Sequence, residues 1–145
     1  MQHVDCGLIC APKKAPLYER LGLIQTQLRE VIQRLQPDIV SVEDVFVGKN
    51  ARAALHLGHA RGVALAAAAL EGLEVASYAP KLVKKTVTGT GRAEKHQVQL
   101  MVKTLLGLPE VPAEDAADAL ALAICHCHHH TGAAALDRLT PRPRR

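Results

Sequence analysis

Aromatic side chains are nearly missing from this chain. Tyr18, Phe46 and Tyr78 are the only three among 145 residues, and there is no tryptophan. A core made without them has to be aliphatic, and a hydrophobic share of 48 % supplies the material for one, which excludes a disordered chain. No uninterrupted apolar run approaches the roughly 20 residues that span a bilayer. The greasiest stretch, Gly62 to Leu70, is bounded by Arg61 and Glu71, so a soluble protein with no membrane partner is expected. The opening MQHVDCGLIC lacks the basic start, apolar run and small-residue cleavage site of a secretory signal, and a cytoplasmic location is expected by default. Four cysteines do not make a disulfide framework in a chain of this size, and Cys125 and Cys127 are too close in sequence for a normal bridge. Reduced thiols are expected.

Charge is present but segregated. Behind the formal net charge of +4 lies a basic block in which Lys81, Lys84, Lys85, Arg92, Lys95 and Lys103 face only Glu94. An acidic block follows, with Glu110, Glu114, Asp115 and Asp118 and no positive residue among them. Such segregation points to a polyanionic partner beside a carboxylate site. The C-terminal RLTPRPRR adds proline-interrupted basic charge that cannot fold alone.

The pattern along the chain predicts an α/β protein. From His3 to Cys10 the alternation of Val4, Cys6, Leu8 and Cys10 predicts a half-buried strand. Leu17, Leu21, Ile24, Leu28, Val31 and Leu35 fall on one stripe of a helix over Pro16–Gln36, which Pro37 stops. The β-branched run Ile39 to Val47 suits a strand buried on both faces, and Leu73 to Tyr78 another strand. Between them, Ala51 to Leu70 is an alanine-dense helix with Gly58 and Gly62. A short helix near Lys81 to Val87, a TGTGR turn, a helix over Ala93 to Leu106 and one from Ala113 to about His128 complete the reading.

Three groups of residues carry chemistry. Glu43 sits within an apolar strand, where a charge costs several kcal/mol unless paired, hydrogen-bonded or bound to metal. The bland reading is that it lies near the strand's end and reaches water. Asp44 points to the opposite side and reads as a surface acid. Asp115 and Asp118, at i and i+3 in a first helical turn, share a face, although acids are favoured there by capping and the macrodipole alone. Taken with Glu43 they suggest a carboxylate cluster for a hard divalent cation such as Mg²⁺. The run His126, Cys127, His128, His129, His130 looks like a metal site, but consecutive helical residues point all round the helix and four tetrahedral ligands cannot converge from it.

The segments PDIVSVEDVFVGKNARAALHLGHARGVALAAA, YAPKLVKKTVTGTGRAEKHQVQLMVKTLLGLP and EDAADALALAICHCHHH resemble, in order and spacing, the RuvC-type Holliday junction resolvases. The similarity covers the chain from about His3 to His129. It implies an RNase H-like mixed sheet flanked by helices, in a single domain expected over 1–131, and the composition of 132–145 reads as a basic disordered tail. It also implies a homodimer that nicks two strands of like polarity across a four-way DNA junction in recombination and repair, accompanied by a branch-migration motor. By this resemblance Glu43, Asp115 and Asp118 are the catalytic carboxylates, holding two Mg²⁺ per subunit for which Mn²⁺ substitutes. Asp118 is a ligand or orients water. Phe46 matches the aromatic that stacks on a junction base, and Lys84 and Lys95 match lysines near the cleavage site, with Lys85 and Arg92 close enough to help.

One departure stands out. Family members open on a strand reading roughly GIDPG, whose Asp is the first metal ligand, and no such motif occurs here. The expectation is therefore an N-terminally truncated or mis-started chain that retains the family's other acids. The alternative is a catalytically inactive junction-binding homologue, and a third reading is a small His/Cys metal-binding protein.

Overall fold

The computed structural model describes residues 1–44 and 51–139, the backbone alone at 51 and 131–139. The chain divides into two compact units, Gly7–Ala79 and Met1–Cys6 with the chain from Pro80 onward.

In the Gly7–Ala79 unit the order is α1 (Leu17–Leu35), β1 (Ile39–Glu43), α2 (Ala51–Leu70) and β2 (Glu74–Tyr78). Helix α1 begins where the Pro16 carbonyl accepts the Arg20 N–H at 3.1 Å. It ends at Gln36, whose left-handed backbone (φ 46°) turns its N–H back to the Ile32 carbonyl at 2.7 Å just before Pro37 forbids another turn. Ile32 is the buried residue of α1, whereas Leu17 and Leu35 on the expected stripe are exposed. Strands β1 and β2 pair in parallel, from Ile39 opposite Glu74 to Glu43 opposite Tyr78, and parallel neighbours need a crossover, which α2 supplies. Ala67 and Ala68 are fully buried on α2, after which Gly72, at φ 71°, makes the turn into β2. Arg29 of α1 holds Glu71 at 2.7 Å, and Gln33 adds a bond at 3.1 Å.

The second unit packs three helices, α3 (Pro80–Thr88), α4 (Lys95–Leu106) and α5 (Glu114–Leu139), against one another. Its core is aliphatic: Val83, Val87, Val98, Val102, Ala117, Ala121 and Ile124 are buried. Cys125 is buried too, its thiol 3.6 Å from the Thr86 hydroxyl, and no disulfide joins any of the four cysteines. Helix α4 closes on Gly107 in the left-handed region (φ 63°), where a side chain is disfavoured.

Four expectations need correction. Residues 3–10 are not a strand: Val4 is 79 % and Leu8 55 % exposed, and the sheet of the described residues is built from β1 and β2, so this segment has no strand beside it to extend a ladder. Helix α5 runs to Leu139, past the end expected at about His128, because the alanines after Gly132 favour helix enough to offset that glycine. Strand β1 is buried at Val42 alone, not on both faces. Finally, Arg52–Leu70 in α2 is long and apolar enough, by length and composition, to cross a membrane, contrary to the reading that no such stretch exists. Its apolarity is largely that of alanine, and α2 packs on α1 and β2 while Arg61, mid-helix, is bonded to the sheet.

Candidate metal and nucleic-acid site

Glu43 is the last residue of β1 and is exposed, so the carboxylate stands at the mouth of the strand and not inside an apolar sheet. The bland reading of its position is the observed one, and the cost of a buried charge does not arise. The ladder continues one residue beyond it, the Asp44 N–H donating to the Tyr78 carbonyl at 2.9 Å. Arg61 of α2 then clamps this end. Its Nε donates to the Glu43 carbonyl at 3.1 Å, and its Nη2 donates to Asp44 Oδ1 at 3.3 Å and to Ser77 Oγ at 3.0 Å. One guanidinium thereby joins α2 to the ends of both strands, using the fork of donors that lysine lacks. Sequence reasoning treated Arg61 only as an interruption of an apolar run. The available signal was a single cation in the middle of an otherwise apolar helix.

In the other unit, the loop before α5 is held by Gln99, whose Nε2 donates to the Pro112 carbonyl at 2.9 Å. The first turn closes with the Ala117 N–H on the Ala113 carbonyl at 2.8 Å. Ala116 and Ala117 point into the core, which leaves Asp115 and Asp118 together on the exposed side, as their spacing predicted. Lys95, at the start of α4, forms an ion pair with Glu114, which raises the Lys95 pKa above its ordinary value. Partial desolvation of its carboxyl pushes the Asp118 pKa up. Lys95 opposes that shift, the charges of Glu114 and Asp115 add to it, and Lys84 opposes it more weakly. Asp115, Asp118, Lys84 and Lys95 therefore lie within electrostatic reach of one another. Carboxylate oxygens gathered in this way are a donor set that suits a hard divalent cation. No group of three or more His, Cys, Asp or Glu gathers as a metal site among the described residues.

Lys85 and Arg92 are exposed, Lys84 half-buried, and Phe46 lies outside the described residues. The TGTGR turn offers a phosphate less than its glycines suggested. The Thr90 N–H is spent on Thr88 Oγ1 and the Arg92 N–H on Thr90 Oγ1, each at 3.3 Å. Gly91 sits in a close approach, since a Cβ there would stand 3.2 Å from the Lys81 carbonyl oxygen, a tight contact.

The sequence matches the family model described as crossover junction endodeoxyribonuclease RuvC over residues 1–126. The chain belongs to the RuvC family. A crossover junction endodeoxyribonuclease RuvC of Azorhizobium caulinodans is 51 % identical over 138 residues, 95 % of this chain and 81 % of that protein. One from Geobacter sp. strain M21 is 54 % identical over 134 residues, covering 92 % of this chain and 81 % of the relative. Among solved structures, Thermus thermophilus RuvC in complex with Holliday junction substrate is 35 % identical, with a TM-score of 0.83 over 89 % of this chain and 79 % of that one. The RuvC likeness carries the expected α/β, RNase H-like fold and places the chain in a class of divalent-metal-dependent nucleases.

Proposed function

We propose that this chain is a crossover junction endodeoxyribonuclease that resolves four-way DNA junctions in recombination and repair. The observation that carries the proposal is the identity above 50 % to RuvC enzymes over almost the whole chain, together with a solved RuvC likeness described with a Holliday junction substrate.

Glu43, Asp115 and Asp118 are the residues that would hold the metal, Mg²⁺ at two ions per subunit with Mn²⁺ as substitute, because carboxylate oxygens suit hard cations. When bound, such ions activate water and stabilise the leaving 3′ oxygen of an in-line displacement. The protein's own contribution is positioning. Arg61 fixes the backbone carbonyl of Glu43 and thereby the strand end that carries its carboxylate. Asp118, with its raised pKa, either ligates metal or accepts a hydrogen bond from the attacking water. Lys84 and Lys95 neutralise backbone phosphates, with Lys85 and Arg92 extending the basic face, so binding weakens steeply with salt. Phe46 is assigned as the wedge at an opened base step.

The working form is a homodimer whose two-fold axis matches that of the junction. On α2, Leu55 and Leu57 are each 60 % exposed and Leu70 63 %, apolar side chains that a partner subunit would cover. A branch-migration motor is the further partner and the cytoplasm the location, with no membrane role. The test is incubation with an end-labelled synthetic four-way junction and Mg²⁺. Paired nicks in strands of like polarity are expected. Junction-selective binding without cleavage in Mg²⁺ or Mn²⁺ would replace this reading by that of a junction-binding homologue.

A further inference from the structure

The histidine-rich segment of α5 is not used by the junction chemistry. Positions 126 and 130 are one helical turn apart, so their side chains rise from the same face with Cβ atoms about 5–6 Å apart. Their imidazoles stack, with ring centroids 5.5 Å apart and planes inclined by 23°. Two imidazoles sharing one tetrahedral ion through nitrogens at about 2.0–2.1 Å place their centroids roughly 5 Å apart, close to the observed spacing. His130 is exposed and His126 half-buried, so an ion from solvent reaches the pair without unfolding anything.

We propose that His126 and His130 form a two-histidine site for a borderline transition-metal ion such as Zn²⁺ or Ni²⁺, distinct from the carboxylates assigned to Mg²⁺. A pair of histidines at i and i+4 on one helical face is a sound chelate because the helix holds both rings in advance. Four ligands do not converge from the run, but two do, and water completes the shell, since no third His, Cys, Asp or Glu joins a metal-holding group among the described residues. The two sites divide ions by hardness. Imidazole suits Zn²⁺ and Ni²⁺ while carboxylate and water suit Mg²⁺, so Mg²⁺ does not compete for the histidine pair.

The experiment is isothermal titration of the full chain with Zn²⁺, repeated with Ni²⁺, on the unmodified protein and on His126→Ala, His130→Ala, His128→Ala and His129→Ala. One ion per chain is expected, with affinity reduced at least tenfold by His126→Ala and by His130→Ala and retained by His128→Ala and His129→Ala. Affinity unchanged in the first two variants, or lost equally in all four, overturns the proposal. A second measurement needs no substitution: Ni²⁺ added to the unmodified protein broadens the imidazole NMR signals of His126 and His130 first. Broadening of other histidines ahead of these two contradicts it. Neither readout depends on nuclease activity, so the result stands apart from that of the junction assay.

Discussion

Replacing Arg61 by alanine removes three hydrogen bonds at once from the end of the sheet that carries Glu43. The bonds to the Glu43 carbonyl and to Ser77 Oγ have neutral acceptors and contribute about 0.5–1.5 kcal/mol each. The contact with Asp44 joins side chains 28 % and 42 % exposed, so solvent screening limits it to roughly 0–1 kcal/mol. The sum is about 2 kcal/mol, which for a chain of this length lowers Tm by roughly 4–8 °C. Catalysis should suffer beyond stability. Displacement of a reacting group by about 1 Å costs on the order of 10²-fold in rate, so the junction-cleavage kcat falls well below that of the unmodified chain while junction affinity changes little. Arg61→Lys keeps the charge but not the fork and should recover only part of either loss. The assays are calorimetric melting and single-turnover cleavage of a labelled junction at a temperature where both proteins are folded. An Arg61→Ala protein that melts within about 1 °C of the parent and cleaves at its rate would refute the clamp.

Other substitutions probe separate parts of the molecule. Ile124, 1 % exposed in the core of the three-helix unit, should cost about 2–5 kcal/mol as Ile124→Ala, read from urea unfolding. Glu71, held below its ordinary pKa of 4.5 chiefly by hydrogen bonding to Arg29, confers stability present above pH 4.5 and lost as pH falls through the lowered value. The Tm difference between the unmodified chain and Glu71→Gln should therefore vanish in acid, and a difference that persists there counts against the assignment. Lys95 has the opposite sign, since its pKa is raised above 10.5 and the contribution of the pair with Glu114 is lost only as pH rises through the raised value. Glu114→Gln should bring the Lys95 pKa down, seen by NMR of the ammonium, and tighten junction binding at low salt by releasing a cation to phosphate.

The apolar stripe of α1 and the alanine density of α2 brought both helices within a residue of their expected bounds. The i and i+3 spacing of Asp115 and Asp118 was equally legible, because helical geometry alone puts them on one face. The segment 3–10 alternated like a strand, yet alternation describes which residues a strand hides and not whether a neighbour is there to pair with. Glu43 misled for a related reason: the β-branched run hid where the strand stops, and the strand's last residue is exposed whatever precedes it. Arg61 was illegible because its three partners come from β1, β2 and the residue after β1, brought together only by the crossover.

The most direct test is the cleavage of a synthetic four-way junction by the unmodified chain and by Glu43→Gln, Asp115→Asn and Asp118→Asn, in Mg²⁺ and in chelator. The prediction is metal-dependent cleavage by the unmodified chain, loss of cleavage in Glu43→Gln and Asp115→Asn, strong impairment in Asp118→Asn, and junction binding retained throughout. Cleavage at undiminished rate by Glu43→Gln or Asp115→Asn, or undiminished cleavage in chelator, would contradict a metal-dependent nuclease working through these carboxylates.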